Sequence, residues 1–276
     1  MINLTKPIAI FFTSLLFCGC SMKSQSENTS DINNTLSQKE NTKQPEYVKF
    51  NRDSIKAKLK YKKAKRIPLV VHVFVPLCDN EHQGIVPVGK SLGDGMNLKT
   101  NLYWGAGYGI KTHFKRNPNW KLVSEQKNID TNILERVIFE KTYHPSTKVI
   151  LVADAYRGDR MGACLRDYFN SLAGIRMDTI YATDSTFNLA KIRDLLIFNG
   201  HNGLMDIDME WIDNEDDITK DAAVISCLSA NWFMERLRYL KAYPLVTTLS
   251  LLPPEAYIAE GIIDAWAMEK KKKKSG

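Results

Sequence analysis

Two short stretches carry residues that could act together as a nucleophile and its base. "FNGHNG" (Phe198 to Gly203) closes one apolar run with His201, and "SCLS" (Ser226 to Ser229) closes the next with Cys227. The thiolate is the nucleophilic form of cysteine, and a free thiol of ordinary pKa, about 8.5, is mostly protonated at neutral pH. An imidazole within reach takes that proton and later returns one to a leaving amine, which is the chemistry of acyl transfer. Gly200 and Gly203 allow a tight turn and close approach of a substrate backbone. Backbone amides near His201 or Cys227 can hold an oxyanion. The plainer readings are a turn histidine bonded to backbone and a cysteine serving as a small buried hydrophobe.

Such a pair needs elements that deliver both residues to one edge. "PLVVHVFVPL" (Pro68 to Leu77), "TKVILVADA" (Thr147 to Ala155), "RDLLIFNG" (Arg193 to Gly200), "DAAVISCLS" (Asp221 to Ser229) and "YPLVTTLSL" (Tyr243 to Leu251) read as strands buried on both faces. Helix-like stretches separate them: "LYWGAGYGIKTHF", "GACLRDYFNSLAG", "SANWFMERLRYLKA" and "PEAYIAEGIIDAWAMEK", with Ser229 as an N-cap and Pro254 as a first-turn proline. "NWKLVSE" and "ILERVIFEK" add a short strand or a hairpin-like insertion. This alternation predicts an α/β fold, a three-layer αβα sandwich around a mostly parallel sheet. In open sheets of this kind ligands gather outside the carboxyl ends of the strands. The residues expected there are Asp79 in "CDNEH", Asp154 before "YRGD", Asn202 and Gly203 as substrate-binding groups, with His201 and Cys227 as the catalytic pair.

"LLIFNGHNG" followed by "AAVISCLS" resembles the core of the caspase-like cysteine peptidases of clan CD, which include caspases, gingipains and the CHAT proteases. In that family an apolar strand ends in His-Gly and the next ends in Ala-Cys or a near equivalent. "SLLPPEAYIAEGIIDAW" is similar to the helix that trails the core, and Pro68 to Leu77 fits the first strand. The resemblance covers about Lys148 to Trp266 and implies a caspase-like fold, with His201 as general base and acid and Cys227 as nucleophile. It implies a peptide or protein substrate and requires no cofactor. The chain departs from the pattern in Asn202, in Ser226 where alanine is usual, and in a short connection from Met205 to Lys220.

That connection, "DIDMEWIDNEDD" (Asp206 to Asp217), holds seven acidic residues. It reads either as a solvated loop or as an acidic rim that favours basic side chains. Cys78, Asp79, Glu81 and His82 offer a weak metal-ligand spacing, and a metal-dependent hydrolase on Cys78, His82 and Asp154 is a third reading; the favoured one has no metal. The glycine-rich "SLGDGMNLKTNLYWGAGYG" lacks the Lys-Ser/Thr ending of a phosphate loop, so Tyr103, Trp104 and Tyr108 are expected to pack or to line the cleft.

The ends of the chain carry other information. Lys6 and "IAIFFTSLLF" form a targeting segment whose "CGCS" ending resembles a bacterial lipobox, with Cys20 as the lipidated residue after a signal peptide of residues 1–19. Acyl chains there would anchor the protein to a membrane of the bacterial envelope, on the periplasmic or outer-membrane side. Residues 20–66 are expected as a polar and then basic tether, residues 67–269 as the α/β domain and residues 270–276 as a basic tail. The formal charge is +7, and without Lys270 to Lys274 it is 7 − 5 = +2, so nucleic acid is not an expected partner. Cys78, Cys164 and Cys227 are an odd set for an exported chain and write no complete disulfide framework. A non-catalytic binding or scaffold lipoprotein with the same fold is the rival to the membrane-anchored peptidase.

Overall fold

The computed structural model describes residues 50–269 except 145–146, 177–178, 183–184 and 189–192. Cys20 with its leader, the polar tether before residue 50 and the terminal lysine run lie outside the described residues. The chain runs through α1 (Asp53–Ala64), β1 (Leu69–Pro76), α2 (Ile110–Arg116), β2 (Lys121–Lys127), β3 (Ile133–His144), β4 (Thr147–Tyr156), α3 (Met161–Leu172), β5 (Thr179–Ala182), β6 (Ser185–Asn188), β7 (Arg193–Asn199), β8 (Asp221–Ile225), α4 (Ser229–Tyr239), β9 (Tyr243–Val246) and α5 (Ala256–Ala267).

Seven strands form one sheet in the order β2-β3-β4-β1-β7-β8-β9, while β5 and β6 pair antiparallel by themselves. Four of the six neighbouring pairs are parallel, and β2, β3 and β4 add an antiparallel edge. The unbroken apolar runs explain this arrangement: β1, β7 and β8 are buried at every position, as parallel strands covered on both faces must be. One core packs α1, α2 and α5 against one face of the sheet, and a second packs α3 and α4 against the other. The protein is thus α/β, with a mixed, mostly parallel sheet between two helical layers.

Three local expectations change. The basic stretch expected in the tether is α1, and it belongs to the folded unit. Ile55 and Leu59 are buried, Arg52 makes two hydrogen bonds of 2.7 Å to Asp221, and Lys62 and Lys58 pair with Asp194. Those two aspartates open β8 and β7 in a buried setting, where a carboxylate is tolerated only with a charged partner. The lysines that suggested solvent exposure are therefore drawn to the sheet. Secondly, "YPLVTTLSL" is a strand only to Val246. Beyond it, Thr248 accepts from the amides of Ser229 and Ala230, and Ser250 from that of Leu228, so this segment satisfies the orphan donors at the start of α4. Thirdly, Ser229 is not the N-cap of α4; Leu228 is, and the Ser229 hydroxyl bonds to Thr248 and the Val224 carbonyl.

A polar row crosses the interior of the sheet. Asp154 accepts from Arg136 at 2.6 and 2.7 Å, His72 Nε2 lies 2.9 Å from Asp154, and Arg193 Nε donates to His72 Nδ1 at 3.0 Å. An accepting Nδ1 fixes the neutral Nε2–H tautomer. Burial, outweighing the pull of Asp154, lowers the His72 pKa to about 4. Burial would raise the Asp154 carboxyl, but the charge and hydrogen bonds of Arg136, aided by His72, hold it far below the usual carboxylate range.

The unfolded chain binds a proton at His72 below about pH 6.5 and the folded chain does not until about pH 4. Stability contributed by this group is therefore present above pH 6.5 and is lost as pH falls through that window, by roughly 3 kcal/mol. Urea unfolding across pH 7 to 4 should show this loss, and His72→Gln, which keeps a donor and an acceptor but does not titrate, should reduce the slope by about one proton. An unchanged slope in that variant would contradict the assignment.

Candidate functional site

The positions of His201 and Cys227 follow from strand register. Asn199 stands opposite Ile225, the last aligned pair of β7 and β8. His201 and Cys227 each lie two residues beyond that pair, on strands about 4.8 Å apart. Asn202 Nδ2 then donates to the Cys227 carbonyl at 2.7 Å and ties the two turns together. The chain leaves β1 toward β4 on one side and returns to β7 on the other, so β1 and β7 flank the point where strand order reverses, where ligands gather in such sheets. Gly200 is required at this crowded edge, because a Cβ there would come within 2.7 Å of Pro76 Cγ at the end of β1.

His201 is nearly buried, and its Nε2 lies 2.7 Å from Asp206 Oδ2. With Nε2–H donating to that carboxylate, Nδ1 carries the lone pair, and Nδ1 has no hydrogen bond among the described residues. Asp206 also accepts from the Gly84 amide at 3.0 Å, which anchors it to the loop after β1. The turn Gly203–Met205 folds the chain back so that Asp206 reaches the histidine five residues before it.

Cys227 occupies a tight strand-to-helix turn. The next residue, Leu228, has φ of 50°, a left-handed conformation uncommon for a bulky side chain. It is held there by its amide's bond to Ser250 and by the start of α4. Strain of this kind persists where the surroundings over-determine it. Cys227 Sγ donates to the Leu252 carbonyl at 3.5 Å. The amides of Leu228, Ser229 and Ala230 are engaged, whereas those of Asn202 and Cys227 have no protein acceptor among the described residues. Three buried oxygens in the same two turns, Asn199 Oδ1, Asn202 Oδ1 and Ser226 Oγ, also have no hydrogen bond. Unpaired buried polar atoms are costly, about 1–3 kcal/mol each, and their concentration here marks the edge as specialised.

The three thiols differ. Cys78 and Cys164 are buried, and burial pushes the first up to about 11 and the second well above its ordinary value. Cys227 is half-buried, the least buried of the three cysteines among the described residues.

Other expected site residues stand elsewhere. Asp154 is no pocket residue: it is fully buried inside β4, and both its oxygens are occupied by Arg136 and His72. Asp79 is likewise turned inward. Its Oδ1 accepts from the Glu81 and His82 amides and its Oδ2 meets the His82 ring, so it clasps its own turn. Gly203 is a packing glycine; a Cβ would come within 2.3 Å of Met161 Cγ at the start of α3. Asn202 remains at the site, beside Cys227. Among the described residues, no group of three His, Cys, Asp or Glu could hold a metal, and Cys78, His82 and Asp154 do not form such a group. Trp104 and Tyr103 are buried, while Tyr108 is exposed beside a recess of about 100 Å3 shared with Tyr103, Pro253 and Pro254.

Asp206 is the residue that sequence reasoning missed in this role. It was visible only as the first member of an acidic run, and its spacing from His201 acquires meaning once Gly203–Met205 is seen as a turn. Asn202→Ala should lower stability by roughly 1–3 kcal/mol in urea unfolding, because it removes a buried bond between two turns. Ser226→Ala deletes a hydroxyl without a protein partner and should cost less than about 1 kcal/mol. Equal costs for the two variants would argue against the clasp. Comparison of the chain with protein-family models, with curated proteins and with solved structures finds no match.

Proposed function

We propose that this protein is a cysteine endopeptidase with a caspase-like α/β domain, exported and held at a membrane of the bacterial envelope by acyl chains on Cys20. The observation that carries the reading is that Cys227 and His201 each follow the last aligned pair of the neighbouring strands β8 and β7 by two residues, with their two turns joined by Asn202. The reversal of strand order between β1 and β7, next to the His201 turn, supports the same reading.

In this reading His201 Nδ1 takes the thiol proton, and Asp206 holds the ring through Nε2 and stabilises the imidazolium. The thiolate adds to the peptide carbonyl carbon, and the oxyanion is met by the amides of Asn202 and Cys227. The C–N bond then breaks as His201 returns the proton to the leaving amine. Water, deprotonated by His201, hydrolyses the thioester and restores the thiol. No metal or organic cofactor enters the scheme.

A non-catalytic binding or scaffold role on the same fold is the second reading, favoured by the Cys227 thiol's engagement with the Leu252 carbonyl at 3.5 Å. Iodoacetamide labelling of the folded protein separates the two. A working pair predicts that Cys227 is alkylated first, faster as pH rises, and at least about tenfold more slowly in His201→Ala. Cys78 and Cys164 should stay protected until unfolding. Labelling of Cys227 that is indifferent to His201→Ala would sink the peptidase. The anchor has a separate test: Cys20→Ser should move the protein from the membrane to the soluble fraction, and unchanged fractionation would remove the lipid.

A further inference from the structure

The turn after β7 and the outer side of α4 enclose a groove of about 460 Å3. Its walls include Met205, Trp211 and Trp232 together with the carboxylates of Asp206, Asp208 and Glu235. The three apolar side chains are 43%, 49% and 43% exposed, so among the described residues large hydrophobic surface lines this groove without a covering element. Single exposed apolar residues are ordinary, but three lining one concavity are a binding feature.

The charges follow a pattern. Much of the acidic run that lines this side of the molecule is engaged: Asp213 with Tyr239, Asp216 with Lys220 and Asp217 with Lys241. Asp208 and Glu235, by contrast, make no hydrogen bond or salt bridge among the described residues; their charges act on the Arg236 guanidinium at longer range. Arg236 is the one cation among the groove's lining residues. Its guanidinium donates to the carbonyls of Met209 and Glu210 and lies 4.7 Å from the Trp211 ring centroid, so it holds the wall in shape. Three carboxylates and one guanidinium leave the groove a formal charge of 1 − 3 = −2.

A ligand suited to such walls has an apolar stem ended by a cation: the stem lies along tryptophan and methionine while the charge meets the carboxylates of Asp208 and Glu235, which outnumber the groove's one guanidinium. Arginine and lysine side chains have that form. The groove also adjoins the dyad, because Asp206 lines it and bonds His201 at 2.7 Å. We propose that this groove docks an arginine- or lysine-bearing segment of the peptide substrate beside the His201 turn, with Asp208 and Glu235 as the residues that select positive charge. The identity of the occupant as a substrate rests on the peptidase reading; the preference for a cation does not.

The test uses the full chain carrying Cys227→Ala, titrated calorimetrically with paired short peptides that differ only in Arg, Lys or Glu at one position. The Arg and Lys peptides should bind at least about tenfold more tightly than the Glu peptide, with a preference that falls as salt is raised. Asp208→Asn combined with Glu235→Gln should remove that preference, while Asp53→Asn on α1 should leave it intact. Equal affinity for the three peptides, no binding by any of them, or an unchanged preference in the double variant would overturn the proposal. Tighter binding after removal of residues 270–276 would name the chain's own lysine tail as the occupant and overturn it too. Basic peptides that bind but are not cleaved by the unsubstituted protein would sink the peptidase reading and leave the groove. Cleavage with no preference for basic residues would do the reverse.

Discussion

Residues beyond the last aligned pair of a parallel ladder leave the sheet side by side, and the pairing of β7 with β8 therefore governs the whole carboxyl edge. With Asn199 opposite Ile225, the turns that bear His201 and Cys227 emerge together and can be joined by one side chain, Asn202. The register is fixed from both faces. Leu195 and Ile197 enter the core that α1, α2 and α5 share, whereas Leu196 and Phe198 enter the core of α3 and α4. A slip of one residue would exchange these sets and displace the turns. The opposite ends of the same strands are held as well, by Asp194 and Asp221, which draw Lys62, Lys58 and Arg52 onto the sheet. The partners of the basic helix and the turns of His201 and Cys227 thus stand at opposite ends of β7 and β8.

The interior accommodates more charge than an apolar reading of the strands suggests. Arg136, Asp154, His72 and Arg193 form a continuous hydrogen-bonded row across β3, β4, β1 and β7. Breaking one member would leave a buried ion without its partner, a loss of roughly 3–5 kcal/mol. The neutral His72 is the element that lets two cations and one carboxylate share this space, since its two nitrogens serve one neighbour each. Both ring nitrogens of His72 are engaged, whereas His201 Nδ1 makes no hydrogen bond among the described residues.

At the carboxyl edge the accounting of backbone donors is selective. The Thr247–Leu252 segment satisfies the first amides of α4, which removes them from any role in binding an oxyanion. The amides of Asn202 and Cys227 remain, one on each turn. Glycine at position 200 lets the His201 turn press against Pro76, so that turn lies beside the point where the strand order reverses. A charged groove on one side and a small recess on the other flank the two turns.

Unbroken runs such as "LVVHVFVP" and "DLLIFN" announce doubly buried strands, and their alternation with amphipathic segments announces an α/β sandwich; both are local properties of hydrophobic spacing, which is why the sequence by itself determined them. The adjacency of the "FNGHNG" and "SCLS" turns was legible for the same reason. Tertiary structure alone decided which polar residues belong to the site. Asp154 looks like any strand-end aspartate until Arg136, eighteen residues back in the chain, is found donating two hydrogen bonds to it. Asp206 looks like any member of an acidic run until a single turn delivers it to His201. Lys58 and Lys62 of α1 read as solvated until Asp194 appears beneath them. In each case the partner is distant in sequence or reached through a turn, and a polar side chain takes its role from the partner it meets, whereas an apolar one needs only to be buried.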